Sequence, residues 1–442
     1  MACSTQAHRH TLDRPRVTSI TCLGSKGAFG VTRRSLAPCV RGICVLKMFQ
    51  KRHRYVFGNE GAFIVNNRML RAILLSIALP LFSVPANADH GPEKMWKRQI
   101  QPYFTAHRTG KVGPFDIAIQ SFGNEPTVAI AEIRVANFDR IFNDKVNLAT
   151  IISKNDDYVY VRFNAKRGID ALTLMQGMSM SKTALGAAVG SLFCTGNIKS
   201  LDETMGQYSV SLQGTPYDKV TIRNVLQMNS GVTPLNRKDV RLVSRMAMGM
   251  GKFAGKASVL SAVQHFRKSL RDQGSKHNYH AADSFALSVL ISDVTGKSAS
   301  QIFYENVFSR FASESQMHWA ADNDGRTVSQ ARLVMTPVSW HEFGQFILKE
   351  ISDETCLGNY FADGINRAVP THREGVTYGY QFWVYVLDNE PVLTMTGHGG
   401  FFNMLRRSNQ SVMSVFSVDP EYQAGNLFGK GVLANIGERV LE

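Results

Sequence analysis

The segment Gly177-Met178-Ser179-Met180-Ser181-Lys182-Thr183-Ala184 sets a hydroxyl and an amine three residues apart. On a helix, that spacing puts both side chains on one face. Serine and lysine fall at this spacing about once or twice by chance in a chain of this length, so the surroundings must decide. Between Asp170 and Lys199 the only charged residue is Lys182, and Ala184, Gly186, Ala187, Ala188 and Gly190 crowd the same stretch. A helix apolar nearly all round belongs inside a protein. A single ammonium there is costly unless it is paired or gives up its proton. A neutral amine beside a serine can take the hydroxyl proton, which makes Ser179 a nucleophile and Lys182 its base. Unpaired N–H groups at the helix start also favour negative charge developing at Ser179. The plainer reading is a structural lysine whose stem lies along apolar surface.

Two further segments carry chemistry. Tyr279 stands among His277, Asn278, His280 and Asp283 just before a helical stretch, a polar cluster suited to a loop facing a cleft. Covering a helix end is the alternative for this tyrosine. Gly397-His398-Gly399-Gly400 separates two strand-like runs. Three glycines in four residues weaken a strand unless another backbone or a ligand comes close, a tight bend being the alternative. Competing constellations are poorer. Residues 177–181 read G-x-S-x-S, one residue short of a nucleophile elbow. His277 and His280 have no carboxylate or cysteine at metal-ligand spacing, so no metal site is expected.

The elements that must hold these residues follow from the hydrophobic pattern. Stretches 115–120, 128–135 and 158–163 read as strands. Stretches 183–193, 221–227, 257–270, 282–294 and 341–351 show helical spacing or helix-end signals. Strands return at 380–387, 392–395, 402–405 and 411–418, the last two joined by a turn at 406–410. Strands at both ends of a helical middle predict an α+β fold whose sheet unites the termini, with an inserted helical domain.

Met178-Ser179-Met180-Ser181-Lys182 and the Ala/Gly-rich stretch after it resemble the first motif of the serine β-lactamase and penicillin-binding-protein superfamily. The likeness is to the branch with class C β-lactamases, esterases and 6-aminohexanoate-dimer hydrolases. It continues in order through Leu201-Asp202-Glu203-Thr204, Val220 to Gly231, Trp319 to Gly325, Met335-Thr336-Pro337, Phe343-Gly344 and Tyr378-Gly379-Tyr380. The resemblance therefore spans about residues 150–440, and it implies an antiparallel sheet flanked by helices, with the site between sheet and helical domain. It also implies that Tyr279 shares proton transfer with Lys182, and that His398 lies beside the site, assisting electrostatically or holding a product carboxylate. Gly399, Gly400 and Phe401 would line the substrate site, the Phe401 N–H joining that of Ser179 as an oxyanion hole. Ala281 departs from the family's Asn or Ser and removes a side chain expected to contact substrate. The reaction implied is acyl transfer through a Ser179 acyl-enzyme, on a small-molecule or peptide-like amide or ester, with no cofactor. β-Lactams, peptidoglycan peptides, short esters and amide oligomers all remain open as substrates. A catalytically inactive periplasmic binding protein on the same fold is the alternative, which intact Ser179, Lys182 and Tyr279 oppose.

The formal charge of +15 is unevenly spread. Residues 1–68 hold twelve Lys/Arg and two acids, Arg71 adds one charge, and the chain after residue 88 is left with about +4. So mild a body gives no reason to invoke nucleic acid or an anionic membrane. Arg71, the apolar run 72–82 and Ala86-Asn87-Ala88 form the pattern of a secretory signal peptide, too short to span a bilayer. Residues 69–88 are therefore expected to be removed, leaving 89–442 as one hydrolase domain, periplasmic or secreted, without stable membrane insertion. Residues 1–68 read as a mis-assigned start or a disordered basic extension, with Met69 the initiator. Of six cysteines, Cys194 and Cys356 fall in the domain; an exported compartment would permit a disulfide between them, but two independent buried thiols are expected, since Cys194 falls in an apolar helix. Expression from Met69 should yield an exported protein whose N-terminal sequence begins near Asp89. Residues 1–68 retained on exported protein would refute both readings.

Overall fold

The computed structural model describes residues 117–126, 129–139, 142–235 and 237–419, together with Trp96, Lys97 and the backbone of short strands before residue 66. The leader predicted at 69–88 lies outside the described residues. Two compact units divide the chain at Asp89 and His90. The first holds two three-stranded antiparallel sheets, formed by Ala2–Thr5, Ile20–Gly24 and Gly27–Val31 and by Cys44–Leu46, Arg54–Gly58 and Gly61–Val65.

In the second unit the strands are β1 (Ala118–Gly123), β2 (Asn147–Lys154), β3 (Asp157–Phe163), β4 (Met175–Gln176), β5 (Gln316–Ala321), β6 (Leu333–Met335), β7 (Val369–Pro370), β8 (Thr377–Tyr378), β9 (Trp383–Leu387), β10 (Glu390–Gly397), β11 (Phe401–Arg406) and β12 (Ser411–Ser417). The main sheet runs β7-β8-β9-β10-β11-β12-β2-β3, antiparallel throughout. Its β12–β2 pairing, Met413 opposite Ile152, joins the two ends of the fold, as the pattern of strands predicted. A smaller antiparallel sheet, β4-β6-β5-β1, lies in the same unit.

The principal helices are α1 (Ser181–Cys194), α2 (Arg237–Ala247), α3 (Ala281–Thr295), α4 (Pro337–Ser352) and α5 (Cys356–Asn366). Residues Ser181 to Leu192 of α1 are all buried, so its sequence carries no amphipathic stripe. Its small residues let neighbours close in. A Cβ on Gly186 would stand 2.4 Å from the Tyr380 carbonyl oxygen. The Gly186 carbonyl instead accepts a hydrogen bond from the Tyr360 hydroxyl of α5, at 2.9 Å. α4 lies on the main sheet, where the His341 ring bridges Ser153 of β2 and Ser414 of β12, each at 2.8 Å.

Three expectations need correction. The described part of stretch 128–135, residues 129–135, forms no strand; Ile133 makes only an isolated bridge to Val161, and a helical turn follows at Ala136–Asp139. Stretch 257–270 is helical only over Val259–Val263, because the apolar spacing ends there and Arg267 to Leu270 are exposed. Cys194 and Cys356 form a disulfide, with Cα atoms 5.7 Å apart, and are not separate thiols. The sequence reading placed Cys194 inside an apolar helix, but it is the last residue of α1, half-buried, and meets the exposed first residue of α5. A crosslink between residues 162 positions apart constrains a long loop of the unfolded chain. Replacing both cysteines with alanine should lower stability by about 2–4 kcal/mol, and reductant should cost the wild type the same. Denaturant unfolding with and without reductant checks this; equal midpoints in all cases would contradict it.

Candidate active site

A turn of unusual backbone presents Ser179. Met178 has φ of 51°, a left-handed conformation uncommon outside glycine. Three contacts hold it there. The Gly177 N–H donates to the Leu333 carbonyl (2.9 Å), the Ser181 hydroxyl donates to the Met178 carbonyl (2.7 Å), and the Ser181 oxygen accepts from the Leu333 N–H (3.1 Å). Ser181, inside the four-residue motif, thus clamps β6 to the turn. Thr183 fixes the next part of α1, donating to the Gln381 carbonyl at 3.1 Å.

Lys182 is 4% exposed, and its Nζ lies 3.1 Å from Ser179 Oγ. The same ammonium donates to the Gln330 carbonyl oxygen at 2.5 Å and sits 4.9 Å from the centre of the Tyr279 ring. Gln330 is itself held by α2, the Ser244 hydroxyl donating to its side-chain oxygen at 2.9 Å. Ser179, Lys182 and Tyr279 are therefore gathered from the turn before α1, from α1 and from the loop before α3. Tyr279 is half-buried and meets Lys182 through its ring face. That ring packs against Trp383 (5.2 Å between centres) and Tyr378 (5.8 Å), at the end of the main sheet.

The loop carrying Tyr279 is anchored at Asn278, whose N–H donates to the Met228 carbonyl (2.8 Å) and whose side-chain amide reaches Thr233 Oγ1 (2.7 Å). His280 caps α3, its Nδ1 accepting from the Ala282 N–H. Ala281 is buried in the core at the first position of α3. His277 is buried against Tyr378 and Trp383. Burial pushes both His277 and His280 down to about 4, so each is neutral near pH 7.

The glycine segment forms the hairpin between β10 and β11, and each glycine has its own reason. Gly397 pairs with Phe401 across the hairpin, and a Cβ on it would stand 2.7 Å from the Gly177 carbonyl oxygen and 2.9 Å from Met178 Cβ. The strand end therefore reaches the nucleophile turn only without a side chain. Gly399 and Gly400 adopt φ of 92° and 86°. The Gly399 carbonyl accepts from Ser417 Oγ (2.6 Å) and the Asp419 N–H (3.1 Å), which ties the turn to the end of β12. His398 is exposed on this turn, while Phe401 is buried.

The chain matches the Beta-lactamase family model over residues 138–426. It belongs to that family. Members of this superfamily are serine hydrolases, and the fold supports the same class here. A Bacillus anthracis protein named as a 6-aminohexanoate-dimer hydrolase is similar in structure, with TM-score 0.61 and 17% identity over 76% of this chain and 93% of that one. A penicillin-binding protein from Bacillus halodurans superposes with TM-score 0.53 and 16% identity over 67% of this chain and 98% of its own. An octameric penicillin-binding protein homologue from Pyrococcus abyssi gives 0.52, 15%, 68% and 76%. No curated protein matches the chain in sequence.

Sequence reasoning missed two residues that hold this site together, Gln330 and Gln381, and read a third, Asp283, only as one of the polar cluster around Tyr279. Gln330 supplies the lysine's carbonyl partner, a backbone contact with no signature. Gln381, at φ 68°, accepts from Thr183 and Ser284 and donates to the Leu226 carbonyl. Asp283, one helical turn after Tyr279, is fully buried and accepts hydrogen bonds from Tyr217 (2.7 Å) and Ser230 (2.8 Å). Burial outweighs those bonds and pushes the Asp283 carboxyl from 3.8 up to about 7. The folded protein thus holds a proton there that the unfolded chain has released. Stability from this group is full below about pH 4 and is lost as pH rises toward 7, at a slope approaching about 1.4 kcal/mol per pH unit. The stability of the wild type relative to Asp283→Asn should fall across this window and level off above it. Denaturant unfolding of the two proteins from pH 4 to 8 measures the difference; a flat or rising one would refute the assignment.

Proposed function

We propose that this protein is an exported serine hydrolase that cleaves an amide or ester bond through an acyl-enzyme on Ser179. The observation that carries the reading is the 3.1 Å contact between Lys182 Nζ and Ser179 Oγ in a site where the amine is 4% exposed. Lys182, in its neutral form, takes the proton as the Ser179 oxygen bonds to the substrate carbonyl carbon. Tyr279, whose ring packs on that amine, helps pass the proton to the leaving group, so that an amine or alcohol departs and an ester to Ser179 remains. The N–H groups of Ser179 and Phe401 stabilise the oxyanion. Gly399 and Gly400 shape the adjoining substrate wall, and His398, exposed on the same turn, assists electrostatically or meets a product carboxylate. Water then attacks the acyl-enzyme by the reverse proton path and frees the acid.

The named relatives, a 6-aminohexanoate-dimer hydrolase and two penicillin-binding proteins, support linear amides and peptide-like acyl groups as candidate substrates. Export is supported by the leader-like sequence and by the disulfide, a bond that persists in oxidising compartments. An inactive binding protein is disfavoured by the intact Ser179–Lys182 contact.

A fluorophosphonate should add one label to the wild type, on the peptide containing Ser179, and none to Ser179→Ala. Lys182→Ala should reduce turnover of a nitrophenyl ester by about 10²–10⁴-fold with the fold intact. Normal turnover by either variant would show that another residue does the chemistry.

A further inference from the structure

The mild charge of the folded unit conceals a strong segregation. Between residues 237 and 276 there are ten Lys/Arg and two acids, Asp239 and Asp272. That net of +8 in forty residues leaves the rest of the chain after residue 88 net negative. The segment, helical over Arg237–Ala247, Gly251–Phe253 and Val259–Val263, forms a layer that buries one set of side chains and exposes another. Val243, Ala247, Met248, Val259, Ala262, Val263 and Phe266 are buried in the core. Arg241, Arg245, Lys252, Lys256, Arg267 and Lys268 are exposed. Several cations elsewhere are matched to carboxylates: Arg162 to Asp139 and Asp144, Arg223 to Asp202 and Asp363, Arg310 to Glu350, Arg406 to Asp388 and Glu390. No ion pair found among the described residues uses a residue between 240 and 276.

Charges without carboxylate partners over so short a stretch repel one another and raise the energy of the folded state. Two large apolar side chains flank the same segment: Leu235 is 54% and Leu270 47% exposed. The stretches that carry them are tied together, the Leu270 N–H donating to the Gly231 carbonyl and the Arg271 guanidinium to that of Thr233. We infer that this layer docks the protein on an anionic phospholipid surface, with the Lys/Arg face on the headgroups and Leu235 and Leu270 at the acyl boundary. Apolar tips beside a cationic face match that interface; a soluble polyanion would use the charges and leave the leucines in water. The layer also reaches the nucleophile, because Ser244 of α2 holds Gln330, whose carbonyl holds Lys182. Docking there brings the site close to the membrane face, toward esters or amides presented at it.

The full chain tests this by lysine acetylation with and without vesicles of equimolar phosphatidylglycerol and phosphatidylcholine. Lys252, Lys256 and Lys268 should become protected. Lys166 and Lys349, 78% and 65% exposed and lying outside the layer, should not, which separates this docking from binding by the basic residues 1–68. Reversing Arg241, Arg245 and Lys256 together to glutamate should weaken that protection by about a hundredfold in vesicle concentration. Leu235→Ser with Leu270→Ser should weaken it too, and neither change should alter hydrolysis of a soluble nitrophenyl ester. Protection that is equal on pure phosphatidylcholine, absent on the mixed vesicles, or unaffected by the leucine pair and reproduced by polyglutamate would overturn the inference.

Discussion

The structure is organised around a cation placed where cations are expensive. Moving an ammonium from water into a protein interior costs several kcal/mol unless the site returns most of it through hydrogen bonds and favourable dipoles. At Lys182 the return comes from three directions: the Ser179 oxygen, the Gln330 carbonyl and the Tyr279 ring face. None of these is a carboxylate, so the amine is solvated without being locked as half of an ion pair. Each partner belongs to a different part of the chain, and the fold must bring all of them to one point.

That convergence demands close approach. α1 is buried over most of its length, and its glycines let the Tyr380 backbone and the α5 aromatics come within contact. At the other side, Gly397 lets β10 end against the Met178 turn. The left-handed Met178 is strained for a side chain of its size, and Leu333 and Ser181 hold it in place. The disulfide fastens the far end of the same helix to α5. Ser179 therefore stands on a held turn that leads straight into a helix anchored at both ends.

Much of this was legible because it rests on local pattern. An Ala/Gly-rich run with one charge announced both a buried helix and a special lysine, and alternation located β10, β11 and β12 to within a few residues. The glycines at 397, 399 and 400 signalled crowding or unusual backbone, and both causes are present. What local pattern could not decide depends on contacts between distant residues. The Cys194–Cys356 pairing spans 162 positions, and nothing in either neighbourhood encodes the other. Stretch 257–270 has enough apolar residues for a helix, but the buried ones serve a short element and a loop packed on α3. Gln330 contributes through its carbonyl, which every residue type possesses.

The titratable groups around the lysine complete the logic. His277 and His280, on either side of Tyr279, are pushed by burial to about 4, and Asp283 is pushed to about 7. Near neutral pH the two imidazoles carry no charge, and the carboxyl is poised between its two forms rather than fixed as an anion. Burial keeps the imidazoles uncharged near neutral pH without removing the side chains, whose bodies are needed for packing: His277 wedges against Tyr378 and Trp383, and Asp283 receives Tyr217 and Ser230. The polar groups near Tyr279 that looked in sequence like a reactive cluster thus serve to hold the loop and the start of α3 in place.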